Sequence, residues 1–270
     1  MNEAELLFTE ILNCSRISLH LDKNLHWDKN KCALISSVIK RRISGEPLHY
    51  ILGETEFMGL EFKVNPDVLI PRPETEILVE ELIQLVRNFS SGSQNTRVLD
   101  LGTGSGCIAV SLAKFLPGLK MHAVDISIKA LEVARDNALA NNVKINFILS
   151  DLFNSPALKP HGYDIIVSNP PYISRAQISD LPAEVKYEPA LAWDGGRDGL
   201  DFYRRIISEA ENYLRKNGFL ALEIGFNQIE AIKNIFLSVP NFKIIKVIKD
   251  YSQIERVIIA KKTKDTRWIN

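Results

Sequence analysis

Residues Arg97 to Phe115 read RVLDLGTGSGCIAVSLAKF, and this stretch decides the fold. Val98, Leu99 and Leu101 suit a buried strand, while from Cys107 onward the apolar residues recur at helical spacing. Gly102, Gly104 and Gly106 punctuate the passage between them, where a backbone free to take positive φ is needed for a sharp turn. A strand, a glycine-rich turn and a helix in close succession open an α/β unit.

The same alternation continues downstream. Further strands are predicted at 120–125, 145–150, 164–168, 219–224, 242–249 and 256–261, and helices at 107–115, 129–140, 200–214 and 227–237. The expected fold class is therefore α/β, with a seven-stranded, mostly parallel sheet covered on both faces. Only about six residues, 250–255, join the last two strands, so these should form an antiparallel terminal hairpin.

Upstream, residues 2–42 read as a small helical domain. Asn2 can cap a first helix with Glu5 in the capping-box position, and Asp28 can cap another that Gly45 stops. Lys40-Arg41-Arg42 at its end suits either a solvated helix terminus or a docking surface. Phe57, Leu60, Phe62, Val64, Val68 and Ile70, with turn signals at Gly59 and Asn65-Pro66-Asp67, read as a β-hairpin. Pro71-Arg72-Pro73 opens a helix to Val86, followed by a polar loop from Asn88 to Asn95. The expected division is a helical domain at 1–52, a hairpin linker at 53–73 and the sheet domain at 74–270.

Composition narrows the function classes. The chain has 270 residues, 46% hydrophobic and 24% charged, with 33 Lys+Arg against 33 Asp+Glu. That balance excludes a disordered acidic or basic chain and argues against a protein whose main task is gripping a phosphate backbone. Cys14, Cys32 and Cys107 form no CxxC pair, which fits reduced thiols in the cytoplasm rather than a zinc ribbon or disulfide framework. Acids at Glu3 and Glu5 do not suit a targeting peptide, and no apolar run approaches the ~18 residues of a membrane span. A soluble, cytoplasmic, monomeric protein is expected.

Four clusters carry chemistry, each at the end of a predicted strand. Asp100 to Gly106 forms a GxGxG turn preceded by an acid, with Cys107 where a dinucleotide fingerprint needs glycine, so it favours a small nucleoside ligand or is simply a tight βα turn. Asp125 can accept both hydroxyls of a ribose, without specifying the cofactor, or cap the next helix. Asp151 can accept from an adenine amino group with Leu152 and Phe153 packed near the ring, or form an Asx turn. Asn169-Pro170-Pro171-Tyr172 follows an apolar strand. Two prolines fix φ and remove two donors, leaving carbonyls that join the Asn169 side-chain oxygen as a rigid acceptor cluster for a planar –NH2 group. Taken alone, it could also be a stiff loop. No His, Cys or metal-ligand cluster lies near it, and the five histidines are scattered.

These residues resemble the class I, Rossmann-like S-adenosylmethionine-dependent methyltransferases that act on an amino nitrogen. Gly45–Glu76 (GEPLHYILGETEFMGLEFKVNPDVLIPRPETE), Glu188–Ile206 (EPALAWDGGRDGLDFYRRI) and Ala221–Gly225 (ALEIG) narrow the resemblance to the protein-(glutamine-N5) methyltransferases of peptide chain release factors. Trp193 departs from that pattern, where an aliphatic residue is more usual. The resemblance implies methyl transfer from S-adenosylmethionine, leaving S-adenosylhomocysteine, to the glutamine of the Gly-Gly-Gln motif of release factors. It implies that Asp100, Gly102, Thr103, Gly104, Ser105 and Gly106 hold the methionine and ribose parts and Asp125 the ribose hydroxyls. Asp151 and Leu152 would hold the adenine. Asn169, Pro170, Pro171 and Tyr172 would bind the glutamine amide, Asn169 also bordering the cofactor, while the N-terminal helices dock the release factor.

Two rivals share part of the pattern. A nucleic-acid amino-methyltransferase acting on adenine or guanine would use the same acceptor cluster, but residues 1–75 hold nine Lys/Arg against eleven Asp/Glu, with no basic recognition domain. Stable nucleic-acid binding is therefore not expected. An NAD(P)-dependent oxidoreductase would need glycine in place of Cys107.

Overall fold

The structure is a computed structural model and describes residues 3–21, 29–89 and 92–263. Asn2 and Asp28, expected as helix caps, lie outside the described residues, as do Ser90 and Ser91 of the polar loop. Helices α1 (Glu3–Leu12), α2 (Arg16–Leu21), α3 (Lys29–Ile43) and α4 (Leu48–Leu52) come first. Leu7, Leu12, Ile35 and Val38 are the buried apolar side chains of α1 and α3. Gly53, at φ 86°, ends α4 and its amide hydrogen-bonds to the His49 carbonyl.

Strands β1 (Glu54–Phe57) and β2 (Leu60–Lys63) form the expected hairpin. Its two turn residues, Met58 and Gly59, both have positive φ (54° and 71°), the twist that matches paired strands. Phe57 and Phe62 meet edge to face at 5.9 Å and are fully buried. Val64, Val68 and Ile70 continue as buried loop rather than strand.

Helix α5 (Pro73–Arg87) leads into the sheet, where β3 (Arg97–Leu101), α6 (Cys107–Phe115), β4 (Lys120–Asp125), α7 (Ile128–Ala140), β5 (Asn146–Leu149) and β6 (Tyr163–Ser168) alternate as read from the sequence. Helix α8 (Asp201–Tyr213), β7 (Leu214–Glu223), α9 (Ile229–Leu237), β8 (Phe242–Lys249) and β9 (Glu255–Lys262) complete it. The strand order is β5-β4-β3-β6-β7-β9-β8. The first five strands of that order are parallel, and β9 runs antiparallel to both β7 and β8.

Period-two alternation divides the sheet between two cores. Leu99, Leu101, Ile166, Leu220, Leu222 and Ile258 face α8 and α9. Val98, Ile165, Val167, Ala221, Val257 and Ile259 face α5 and α6. Both sides being covered, the strands read as continuous apolar runs.

Most element ends fall within two residues of the sequence reading, and two larger differences stand out. Helix α8 stops at Tyr213, and Leu214 is already extended (ψ 140°), pairing with Tyr163, so β7 begins five residues before the expected Phe219. Lys262 enforces that stop. Its buried ammonium donates to the carbonyls of Glu211 (2.8 Å), in the last turn of α8, and Leu214 (3.1 Å), at the start of β7. Between β6 and α8 the chain makes three short 3₁₀ turns, Arg175–Asp180, Val185–Tyr187 and Ala190–Ala192, none of which the apolar periodicity shows.

One side chain fastens the hairpin to the sheet domain. Asn137 on α7, fully buried, accepts from the Lys63 amide (2.7 Å) and donates to the carbonyls of Lys63 (3.0 Å) and Ser105 (2.9 Å). Asn137→Ala strips these groups of their partner, and at about 1–3 kcal/mol for each buried unsatisfied group the expected loss is about 3 kcal/mol in urea denaturation. Asn141→Ala removes an exposed contact to the Glu61 carbonyl and should cost less than about 1 kcal/mol.

Candidate active site

The strand order reverses at β3, whose neighbours β4 and β6 are reached by connections running opposite ways, so a crevice opens at the carboxyl ends of the strands. Every candidate residue lies along this edge or in the segment just beyond it.

The glycine turn sits at its centre. Gly102, Gly104 and Gly106 have φ of 68°, 55° and 82°, as the sequence demanded. A side chain built on Gly102 or Gly104 would meet nothing within 4 Å, so these two line open space, whereas one on Gly106 would press on Ala134 at 3.1 Å. The first two glycines keep a cradle clear, and the third lets α6 pack on α7. Asp100 is fully buried beneath the turn. Its Oδ2 accepts from Thr103 Oγ1 at 2.6 Å, and its Oδ1 has no partner among the described residues. Burial pushes its carboxyl up to about 7, and Asp125 nearby adds to the rise.

Asp125 does not cap α7. Ser127 does, its hydroxyl accepting from the Ala130 amide at 3.2 Å. The Asp125 carboxylate is instead gripped by two amides, Oδ2 by Gly104 (2.8 Å) and Oδ1 by Ser127 (2.9 Å). Each oxygen keeps a lone pair for a further donor. Burial raises its carboxyl, and those two amides oppose the rise. The next residue, Ile126, is 55% exposed at the same edge.

Asp151 has one oxygen committed, its Oδ2 pairing with Arg205 of α8 at 2.8 Å. Leu152 follows in a left-handed conformation (φ 49°), its carbonyl held by Ser150 Oγ at 2.8 Å. That turn sends Phe153 inward, where it stacks on Tyr213 at 4.6 Å in the core. Phe153 is therefore a core residue and not the wall of a ring pocket that its place beside Asp151 suggests.

Asn169 begins the last cluster. Its amide nitrogen donates to Thr75 Oγ1 (3.1 Å), and Thr75 Oγ1 donates to Glu223 Oε2 (2.7 Å). No donor among the described residues reaches the Pro170 carbonyl. The Tyr172 carbonyl, by contrast, is taken by Gln228 Nε2 at 2.9 Å, so the acceptor cluster is smaller than the tetrapeptide alone suggests. Tyr172 is wedged by three glycines. An added Cβ would lie 2.9 Å from its ring at Gly225, and 2.8 Å and 2.4 Å from its backbone at Gly195 and Gly199. Burial pushes its phenol up to about 12.

In front of Asn169 and Tyr172 opens a cavity of about 550 Å³, whose lining includes Arg72, Glu188, His49 and Trp193. Arg72 makes a two-pronged pair with buried Glu188 at 2.7 Å and 2.6 Å, tying the start of α5 to the segment after Tyr172. Burial raises the Glu188 carboxyl and Arg72 opposes it. On the far wall Arg42 reaches both Glu3 and Glu184, and Tyr187 donates to the Ser44 carbonyl at 2.9 Å. The Lys40-Arg41-Arg42 run thus divides its work: Arg41 pairs with Glu46 (2.6 Å), while Arg42 joins α1 and α3 to the 3₁₀ segment.

Thr75, Glu223 and the Arg72–Glu188 pair were not singled out from sequence. One signal was readable, since Glu223 is a lone acid inside the apolar run Leu220–Ile224, where burial demands a partner. For Thr75 no local signal exists.

The family model described as methyltransferase small domain matches residues 74–184, and that described as PrmC N-terminal domain matches residues 1–53. A protein from Thermodesulfovibrio yellowstonii named release factor glutamine methyltransferase is 42% identical over 98% of this chain and 93% of its own. One of the same name from Fusobacterium nucleatum is 42% identical over 96% of this chain and 73% of its own. The crystal structure of a methyltransferase from Pyrococcus furiosus shares the fold, with a TM-score of 0.58 and 20% identity, covering 88% of this chain and 100% of that one.

Two buried carboxyls at this edge set a pH dependence. Asp100 and Glu223 are both pushed up to about 7, against about 4 in an unfolded chain. Between these values the folded chain holds more protons than the unfolded one, so their contribution to stability falls as pH rises from about 4 to about 7 and then levels. Melting of the unliganded protein by scanning fluorimetry should show this loss, and Asp100→Asn and Glu223→Gln should each flatten the slope.

Proposed function

The chain belongs to the release factor glutamine methyltransferases. From that premise we propose that it transfers the methyl group of S-adenosylmethionine to the side-chain amide of the glutamine in the Gly-Gly-Gln motif of peptide chain release factors. The observation that carries this reading is the pairing of two acceptors that no donor among the described residues takes, Asn169 Oδ1 and the Pro170 carbonyl, with Asn169 itself lining the cavity.

The crevice suits the methyl donor. Open space at Gly102 and Gly104, a spare lone pair on each Asp125 oxygen and the orphaned Asp100 Oδ1 fit a ligand with hydroxyls and an ammonium group. Asp125 would take the ribose hydroxyls, and Gly102 to Gly106 the methionine and ribose, over Asp100. Asp151, through the oxygen that Arg205 leaves free, and Leu152 would border the adenine, with Ile126 as its exposed apolar neighbour. When bound, S-adenosylmethionine supplies a methyl group on a positively charged sulfur.

The chain's own residues do the rest by position. An amide nitrogen is a poor nucleophile because its lone pair is delocalised into the carbonyl. Asn169 Oδ1 and the Pro170 carbonyl accept its two hydrogens, fix its plane and stabilise positive charge developing on nitrogen. Tyr172, immobilised by Gly195, Gly199 and Gly225, restricts the side chain from one side. Orientation of this kind can supply about 7–11 kcal/mol of the barrier. The methylated amide is acidic enough to lose its proton without a dedicated base.

The proposed division of labour follows the chain. Residues 1–52 dock the release factor, 53–73 link, and 74–270 bind the methyl donor and carry out transfer, as a monomer in the cytoplasm where release factors work. No described helix is long and apolar enough to cross a membrane.

Labelled S-adenosylmethionine should mark purified release factor and leave its Gly-Gly-Ala variant, DNA and ribosomal RNA unmarked. Label on nucleic acid and not on the factor would overturn the reading. Asn169→Ala should lower kcat by about 100- to 1000-fold, with the affinity for S-adenosylhomocysteine, measured by calorimetry, held within a few-fold.

A further inference from the structure

We infer that Thr75 and Glu223 are positioning residues that fix which way round the Asn169 carboxamide sits. This rests on the reading that Asn169 Oδ1 accepts a hydrogen of the substrate amide. An asparagine side chain can be turned over with almost no change of shape, exchanging an acceptor for a donor. In the wrong orientation Asn169 would present –NH2 to the –NH2 it must hold.

The direction is set from the far end of the chain of contacts. An ionised carboxylate can only accept, so the 2.7 Å contact between Thr75 Oγ1 and Glu223 Oε2 spends the one hydroxyl proton of Thr75 on Glu223. Thr75 can then only accept from Asn169, and the 3.1 Å contact must come from the amide nitrogen. Pinning the nitrogen points Oδ1 the other way. The Asn169 side chain also hydrogen-bonds Glu223 itself, and since a carboxylate only accepts, that contact too calls on the amide nitrogen.

Glu223 is sealed for this task, at 1% exposure. Its backbone carbonyl receives the buried Tyr203 hydroxyl at 2.9 Å. The charged groups that act on it are Glu74 of α5 and Arg256 of β9, with Tyr172, Tyr203 and Cys107 the titratable neutral groups around it. No cation among the described residues pairs with it directly, so Thr75 is its principal donor and Asn169 the weaker second one.

A glutamine at 223 would keep the size and the tie between β7 and α5, but could donate to Thr75 and let the chain of contacts reverse. Glu223→Gln should therefore lower kcat for methyl transfer to release factor about 10- to 100-fold, the scale seen when the outer partner of a functional group is removed. KM for both substrates should stay within about twofold. Thr75→Val should match it, and Thr75→Ser should restore kcat to within about threefold of wild type. The wild-type kcat should also fall below about pH 7 as Glu223 gains a proton and with it the ability to donate.

Wild-type kcat in Glu223→Gln at pH 8, or a Thr75→Ser variant as slow as Thr75→Val, would overturn the inference. Should Glu223→Gln fail to fold in the melting assay, the Thr75 pair decides alone. Near-normal turnover in Asn169→Ala would sink the acceptor reading itself. An inactive Asn169→Ala beside fully active Thr75→Val and Glu223→Gln would sink only the positioning role.

Discussion

The reversal of strand order at β3 governs the molecule. Parallel strands joined by helices can leave a gap at their carboxyl ends only where successive connections depart in opposite directions. Here β3 turns toward β4 and the chain later returns to β6 on its other side. That puts the glycine turn after β3, Asp125 at the end of β4 and Asn169 after β6 around one opening, although they are distant in sequence. The demand for a gap also explains why polar groups are buried there. Asp100 and Glu223 lie beside apolar residues toward the carboxyl ends of their strands, and each is answered by the hydroxyl of a threonine, Thr103 and Thr75.

Stiffness around the opening comes from close approach as well as from proline. The Tyr172 backbone and ring are enclosed by Gly195, Gly199 and Gly225, and Gln228 binds the Tyr172 and Gly199 carbonyls while accepting from the Gly225 amide. A methyl group at any of those glycines would collide with the tyrosine or with the backbone beside it. The segment after the sheet edge is thus fitted to Tyr172 from two directions, and Arg72 with Glu188 ties it to the start of α5.

Much of this was legible in the sequence because the signals are local. The helix at Cys107–Phe115 and the strands at Arg97–Leu101, Lys120–Asp125 and Phe242–Lys249 fall where periodicity and glycine place them. The glycine turn needed positive φ and has it. What the sequence does not show depends on partners remote in the chain. Thr75 meets Asn169 only after the sheet has formed, and Lys262 becomes the cap of α8 only when β9 is in place. Phe153 turns into the core because one left-handed residue, Leu152, reverses the direction its neighbour takes, which sequence position does not show. The 3₁₀ turns of 175–192 follow prolines and close contacts, which hydrophobic periodicity does not register.

The position of β9 has a consequence for biosynthesis. It is synthesised after every other strand among the described residues, yet it lies between β7 and β8, with Val257, Ile258 and Ile259 buried on the two faces of the sheet. Until residues 255–262 emerge, β7 offers an unsatisfied edge, the wall beside Glu223 lacks Arg256, and α8 lacks the lysine that closes its end. A nascent chain stalled or cut short before that point therefore carries every residue of the acceptor cluster and the glycine turn but an unfinished sheet beneath them. Synthesis of residues 255–262 is thus a condition for the active site to take shape.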